Sequence, residues 1–393
     1  MEASLTGQIS QRTGSARASL LQLAGLFLKI GTVAFGGPPA HIAMMEDDVV
    51  ARRGWLTREQ FLDFLGAANL IPGPTSTEMA IYVGRTQRGW PGLLVAGSCF
   101  ILPSTVLVVV LAWAYARFGS LPQLAGVLYG VKPIVIAVIV QAVFKLARVA
   151  IKTAWLAVVA VVTVLVFALG VDELLVLAIG GLLTLSAYWV RKRRAATTTT
   201  APALLTVGGI SSGAAALPFS LGGLFVVFLK IGAILFGGGY VLVALIRSNL
   251  VARLGWISER QLLDAVAMGQ VTPGPISTAA TFIGFLLAGV PGAAVATVAM
   301  FLPAFLFVAA SGPLVPRLRK SPASGAVLDG VNVAALGLIT VVTWQLFRTA
   351  VVDWTTLALA ALSLGLLMRF RLNSTWLVLA GAAVGVSRVW LGW

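Results

Sequence analysis

The stretch Asn69-Leu-Ile-Pro-Gly-Pro-Thr-Ser-Thr77 occurs a second time, in altered form, as Gln270-Val-Thr-Pro-Gly-Pro-Ile-Ser-Thr278. In each copy two prolines (Pro72 and Pro74, Pro273 and Pro275) lack an amide hydrogen, and the glycine between them (Gly73, Gly274) admits backbone angles closed to other residues. A helix cannot continue through such a tripeptide, so one half-helix ends and another begins. The residues after the second proline then sit at a helix N-terminus, where open N–H groups and the positive dipole end attract anions. Thr75, Ser76, Thr77, Ser277 and Thr278 add hydroxyl donors at that point. Two such termini facing one another would suit a tetrahedral oxyanion. The plainer reading is a hairpin tip whose hydroxyls merely cap helices.

Further candidates lie around these stretches. Glu78 follows the first Pro-Gly-Pro, and Ala279 holds the matching place in the second. A carboxylate in an apolar site can bind and release a proton, and when charged it repels an anion, which is a basis for coupling; it can also simply complement a helix N-terminus. Lys29 and Lys230 fall inside apolar runs, where a charge is expensive and functional by default; they would draw an anion inward or snorkel to an interface. Phe35-Gly36-Gly37-Pro38-Pro39 and Phe236-Gly237-Gly238-Gly239 interrupt the same runs and allow unwinding or close helix packing, with a true break expected first where the prolines are. Arg85 and Arg88, at the far end of the half-helix that starts at Thr75, would line an anion vestibule or anchor at an interface. Asp63 and Asp264 read as caps or partners near an interface. With one His (His41, read as packed or hydrogen-bonded) and one Cys (Cys99), a His/Cys metal site and an intrachain disulfide are not expected, nor is a nucleophile–base pair.

The elements that position these residues must lie in lipid. Of 393 residues 59% are hydrophobic and 10% charged, with a mean hydropathy of +0.98, against about 25% charged in soluble domains. Runs such as 153–169 and 174–190 carry no charge and approach the ~20 residues a helix needs to cross the hydrocarbon. Strict alternation is absent, so helices are expected rather than a barrel. Unsatisfied backbone at a Pro-Gly-Pro inside a membrane then needs a reason, which favours the functional reading. The net charge of +15 reads as basic residues meeting anionic lipid rather than nucleic acid. Eleven Trp, among them Trp55, Trp90, Trp189, Trp256, Trp354 and Trp390, sit mostly at segment ends as an interfacial belt. The polar first residues lack the apolar core of a cleaved signal.

The chain is duplicated. Lys29-Ile30-Gly31, Phe35-Gly36-Gly37, Gly54-Trp55, Gln60, Asp63, Pro72-Gly73-Pro74 and Ser76-Thr77 all recur 201 residues later; after one lost residue, Gly84, Pro91-Gly92, Leu102-Pro103 and Gly130 recur at 200. The expected divisions are a polar tail at 1–19, a first membrane repeat at 20–190, a basic and flexible linker at 191–217, and a second repeat at 218–393. Five apolar segments are read in each repeat: 20–45, 92–116, 126–148, 153–169 and 172–190, then 219–246, 291–313, 325–348, 353–369 and 374–391. Between the first two of each lie shorter pieces, Phe61 to Ile71 with Thr75 to Gly84 and Leu262 to Val271 with Ile276 to Leu287, too short to span twice at ~1.5 Å per residue. They form a hairpin with Pro-Gly-Pro at its tip. The fold expected is an all-α polytopic membrane protein of two inverted repeats, five spans being odd, each with one such hairpin. The run Arg191-Lys192-Arg193-Arg194 is expected on the cytoplasmic side.

Lys-Ile-Gly, Phe-Gly-Gly-Pro, Gly-Trp-Leu and Pro-Gly-Pro-Thr, repeated after about 200 residues over nearly the whole chain, resemble the long-chain chromate ion transporter family. That resemblance implies two homologous halves of opposite orientation and proton-motive export of chromate from the cytoplasm, without a cofactor. It marks Lys29, Gly36, Gly37, Pro38, Trp55, Pro72, Gly73, Pro74, Glu78 and Arg85 as transport positions. Gly239 for Pro38 and Ala279 for Glu78 argue against a second proton site. Sulfate has the same shape and charge and stays open as substrate; a passive anion channel and a membrane-embedded enzyme are the rival classes. The expected setting is the bacterial inner (plasma) membrane, with oxyanion, protons and lipid as partners and a homodimer as the working assembly.

Overall fold

The computed structural model describes residues 17–119, 121–194, 218–370, 372 and 374–391, without side chains at 193–194, 312–320 and 391. The tail before residue 17 and the linker at 195–217 lie outside the described residues. The first repeat comprises α1 (Leu20–Val33), α2 (Pro38–Glu46, prolonged by a π segment Asp47–Arg52), α3 (Arg58–Ala68), α4 (Thr75–Phe118), α5 (Pro122–Ala150), α6 (Ala154–Ala168) and α7 (Glu173–Arg194). The second repeats them as α8 (Leu221–Ala233), α9 (Val241–Ile246, prolonged by a π segment Arg247–Arg253), α10 (Glu259–Val271), α11 (Ala279–Lys320, opened by a 3-10 turn Ile276–Thr278), α12 (Pro322–Ala350), α13 (Trp354–Phe370) and α14 (Ser374–Leu391). No strand occurs among the described residues. The repeat reaches down to the caps: Thr57 with Gln60 and Ser258 with Gln261 close the same capping box at the starts of α3 and α10.

α4 and α11 are each two helices. Gly89 (φ 61°) and Gly289 (φ 62°) adopt left-handed angles, and the chain doubles back there. Gly84 packs on the backbone of Gly92, and Gly284 on that of Gly292, with no room for a β-carbon. We call the arms α4a (75–87) and α4b (90–118), α11a (279–287) and α11b (290–320). α3 and α4a pair as the expected hairpin: Phe64 and Tyr82, equidistant from Gly73, stack at 5.3 Å.

The first apolar segment of each repeat differs from the span read in the sequence. α1 stops at Val33, the chain breaks, and α2 returns. The side chain of Gln87 accepts from Ala18 N (3.1 Å), just before α1, and donates to Trp55 O (2.9 Å), just after α2, so both ends of the unit lie together. The break is present in both repeats and is longer in the second, where α8 ends at Ala233 and α9 begins at Val241; the missing prolines do not preserve the helix there. Gly237 (φ 83°) and Gly238 (φ 101°) supply the turn instead. Each repeat therefore holds two broken hairpins followed by α4b–α7 or α11b–α14. The odd count of spans, from which opposite orientation was expected, does not hold.

Across the repeats, α5 lies on α14 and α7 on α12. Gly126 meets Gly385 while Gly130 meets Gly381, so α5 and α14 run antiparallel. Gly180 meets Ala334 while Thr184 meets Gly330, so α7 and α12 do too. Small residues let these backbones touch, which is how helices gain dispersion energy where no water can be expelled. One buried ion pair crosses the same seam: Lys132 of α5 holds Asp264 of α10 at 2.8 Å, and Tyr115 of α4b donates to the same carboxylate at 2.8 Å. Asp264, read in the sequence as a cap or a partner, is a fully buried partner. Trp55 is likewise buried rather than part of a belt, whereas Trp90, Trp354 and Trp390 are exposed. Five helices are long and apolar enough to cross a membrane, and five shorter apolar helices accompany them among the described residues.

Candidate functional site

The four breaks converge in two reciprocal contacts. Gly73 N, at the first Pro-Gly-Pro, donates to Leu235 O at the break between α8 and α9 (2.9 Å). Gly274 N, at the second, donates to Ala34 O at the break between α1 and α2 (3.0 Å). Donors and acceptors are both related by the same 201-residue offset, so each repeat's hairpin tip is seated in the other repeat's break. Neither glycine can be replaced without disturbance. A β-carbon on Gly274 would overlap Ser104 Oγ, which donates to Pro273 O at 2.7 Å; one on Gly73 would overlap Glu78 Oε1. Ile276, after the second tip, lies 3.7 Å from where a β-carbon on Gly37 would stand and 3.8 Å from where one on Gly239 would. Here an apolar side chain fills the junction.

At the first tip the junction is open. A cavity of about 470 Å³ is bounded by Asn69, Gly73 and Thr75 from the first repeat and by Leu235, Gly237, Gly238 and Asn332 from the second. Its rim carries Lys152 and Asp329, paired at 2.8 Å and both partly exposed. The loop before α6, the end of α5 and the start of α12 thus form the mouth. α4a runs from the tip toward that same face, because α4b crosses away from it and α5 returns to it. α7, parallel to α5, ends there as well.

The remaining sequence candidates divide into two groups. Pro72, Pro74 and Pro275 frame the tips, with Pro74 and Pro275 immediately preceding the helical turns. Ser76, Thr77, Ser277 and Thr278 are buried in those turns. Thr278 Oγ1 turns back to Pro275 O (2.9 Å), whereas Thr77 Oγ1 and Gln270 Nε2 have no hydrogen-bond partner; the Gln270 side chain faces the Tyr240 hydroxyl. Glu78 is fully buried in the first turn of α4a with both oxygens unpartnered, pressed on Gly73. Gly36 (φ 108°) and Gly37 (φ 72°) form the first break. His41 is packed there, its Nε2 3.1 Å from Ala34 O and its ring edge-on to Phe100.

The two lysines and Arg85 are engaged elsewhere. Lys29 pairs with Asp48 at 3.2 Å and is half exposed. Lys230 pairs with Glu173 at 2.7 Å and with Asn249 at 3.0 Å. Asp48 and Asn249 are equivalent residues on the two π segments. Glu173, which also takes bonds from Ser248 and Asn249, supplies from α7 the charge that Asn249 lacks. Arg85 donates to Val308 O on α11b, roughly 15 Å along α4a from the tip at ~1.5 Å per residue. The sequence reading missed Glu173, Lys132, Ser104 and Asn332. Only Glu173 and Lys132 left a trace, as charges next to apolar runs; the others are ordinary helix residues until folding brings the repeats together. No cluster of His, Cys, Asp and Glu suited to a metal occurs among the described residues.

The comparisons agree with this duplicated architecture. The chromate transporter family model matches twice, over residues 21–185 and 222–386. A chromate transport protein of Cupriavidus metallidurans is 36% identical over 372 residues, 93% of this chain and 92% of that protein. A probable chromate transport protein of Synechococcus elongatus is 34% identical over 355 residues, 88% and 89% of the two chains. A chromate transport protein of Pseudomonas aeruginosa is 31% identical over 386 residues, 93% and 91%. No solved structure matches. With both repeats matched and the relatives aligned nearly end to end, the chain belongs to the chromate transporter family of multi-pass membrane proteins.

Proposed function

We propose that the protein is a secondary active transporter that exports chromate, or an oxyanion of the same shape and charge, across the bacterial inner membrane, driven by the proton motive force. The observation that carries this reading is the reciprocal seating of the tips, Gly73 N on Leu235 O and Gly274 N on Ala34 O, beside a cavity of about 470 Å³. Broken helices meeting between two repeats are how transporters expose backbone donors to a buried substrate. At the first tip the helix N-terminus, Asn69, Thr75 and Asn332 offer neutral donors to an anion.

The antiparallel packing of α5 on α14 and of α7 on α12 supports repeats of opposite orientation. Arg191-Lys192-Arg193-Arg194 ends α7 at the face where the cavity opens. Basic clusters are retained in the cytoplasm, so the cavity faces the side from which an exporter loads. Export of a dianion also gains ~2.3 kcal/mol per charge per 100 mV of inside-negative potential. Glu78 is the proton-binding group, single because Ala279 replaces it in the second repeat. Its ionised form repels the substrate, which ties oxyanion binding to the protonation state of Glu78.

Chromate flux in reconstituted vesicles, with pH gradient and voltage set independently, tests this. Flux responding to each gradient, and losing its pH response in Glu78→Gln, is expected. Flux that follows voltage alone refutes proton coupling, and no chromate flux with sulfate transported refutes the substrate.

A further inference from the structure

Glu78 is sealed from the cavity that admits the oxyanion: it is fully buried, does not line that cavity, and has Gly73 packed against it. A buried carboxylate that exchanges protons needs its own connection to water. One line of polar groups leaves it. Tyr82 lies one turn further along α4a, within electrostatic reach of both Glu78 and Arg85, and turns its hydroxyl toward Ser311 without closing a standard hydrogen bond. Ser311 Oγ donates to Val308 O at 2.7 Å, and the same carbonyl accepts from Arg85. Arg85 is only partly buried, and Thr86 and Arg88 beyond it are exposed. On the same arm Met79, Ile81 and Val83 are apolar and fully buried, and the buried Gln87 is committed to Ala18 and Trp55.

The repeat-related positions lack the whole line. Ala279 stands for Glu78, Phe282 for Tyr82, Phe285 for Arg85, and Leu111 for Ser311. The scaffold around these positions is shared, including Gly84 with Gly284 and Gly92 with Gly292. Four polar positions, drawn from both repeats, have thus diverged together while their glycine framework has not.

We propose that Tyr82 and Ser311 relay protons between Glu78 and the face where Arg85 emerges. This rests on the reading of Glu78 as the proton-binding group. In the release step the Glu78 carboxyl passes its proton to the Tyr82 oxygen as Tyr82 O–H gives its own to a bridging water or to Ser311 Oγ. Ser311 turns from Val308 O and hands its proton to water at the Arg85 end. No net charge stays on Tyr82 or Ser311, and rotation of the hydroxyls resets the line. Arg85, fixed on Val308 O, holds the exit polar and disfavours a proton's return.

The test uses the full chain in proteoliposomes with two measurements, chromate flux driven by a pH gradient and chromate–chromate exchange without one. Exchange needs no proton release, so it separates relay from folding. Tyr82→Phe keeps the ring that stacks on Phe64, and Ser311→Ala is as small a change. Each should slow gradient-driven flux about tenfold or more and raise its solvent isotope effect, while exchange stays within about twofold, as expected when only a proton transfer is impaired. Glu78→Gln should abolish the gradient response altogether. If Glu78→Gln does so but Tyr82→Phe and Ser311→Ala keep wild-type gradient-driven flux, the relay is overturned and Glu78 stands. If Glu78→Gln retains the response, the underlying reading fails instead.

Discussion

Replacing Gly274 by alanine probes the contact on which the site depends. Gly274 has φ 88°, a left-handed angle, and its N–H is committed to Ala34 O. Two separate penalties follow. An L-residue forced into that region is destabilised by about 1–2 kcal/mol. The new methyl also overlaps Ser104 Oγ and lies 3.3 Å from Gly31 O, so Ser104 must rotate and abandon Pro273 O. Losing that buried bond adds about 0.5–1.5 kcal/mol. Gly274→Ala should therefore lower stability by about 2–3 kcal/mol. Gly54→Ala, with φ 59° and open space around it, isolates the backbone share and should lose only about 1 kcal/mol. Ser104→Ala alone removes the bond; in combination with Gly274→Ala the shared loss is counted once, giving a coupling of about 1 kcal/mol. Reversible unfolding in mixed detergent micelles, followed by tryptophan fluorescence, measures all four variants. A Gly274→Ala variant no less stable than Gly54→Ala, or strictly additive double-variant losses, would mean that the second tip is not pressed against the first repeat.

Two further outcomes follow from the seam between the repeats. Lys132→Met strands the fully buried Asp264 and should lose about 3–5 kcal/mol, most of it recovered in Lys132→Met/Asp264→Leu; a single-variant loss below about 1 kcal/mol would contradict the pairing. In a Cys99→Ala background, cysteines replacing the equivalent exposed residues Trp90 and Val290 should be labelled by an impermeant maleimide from opposite faces of the membrane, and labelling from one face would refute opposite orientation.

The sequence shows the backbone breaks well and side-chain partnerships poorly, for a physical reason. Pro72-Gly73-Pro74 and Pro273-Gly274-Pro275 act through local backbone chemistry, which is the same whatever packs around them, so both hairpins and their helical starts were legible. The reversal between α1 and α2 was half legible: the glycines announced an interruption, but only the long-range bonds of Gln87 to Ala18 and Trp55 turn an interruption into a return. Lys29 and Lys230 were legible as costly charges, whereas their partners were not. Asp48 lies on a π segment that no local signal announces, and Glu173 comes from a helix 57 residues away. Asn332 and Ser104 acquire meaning only through the opposite repeat's tip, so no pattern within one repeat reveals them.

The internal repeat also permits a comparison that a single-copy chain does not. Residues that shape the backbone are held in both copies: the tip glycines, the break glycines, and the Gly84–Gly92 and Gly284–Gly292 contacts. Several charged residues are not, although Lys29 with Lys230 and Asp63 with Asp264 are kept: Glu78 stands against Ala279, Arg85 against Phe285, Lys132 against Asn332, Asp48 against Asn249. A symmetric scaffold lets two seats be built from one pattern of breaks. Symmetric chemistry would work against it. A second carboxylate beside the second tip would place two like charges near one dianion, and each would hold off both its twin and the substrate. The open cavity lies where Asn332 is neutral, and the apolar plug of Ile276 lies in the half that lacks a carboxylate at its tip. Directional transport, as proposed above, requires that the two faces differ in what they bind, and the side chains at the two tips supply such a difference beyond that of the longer second break.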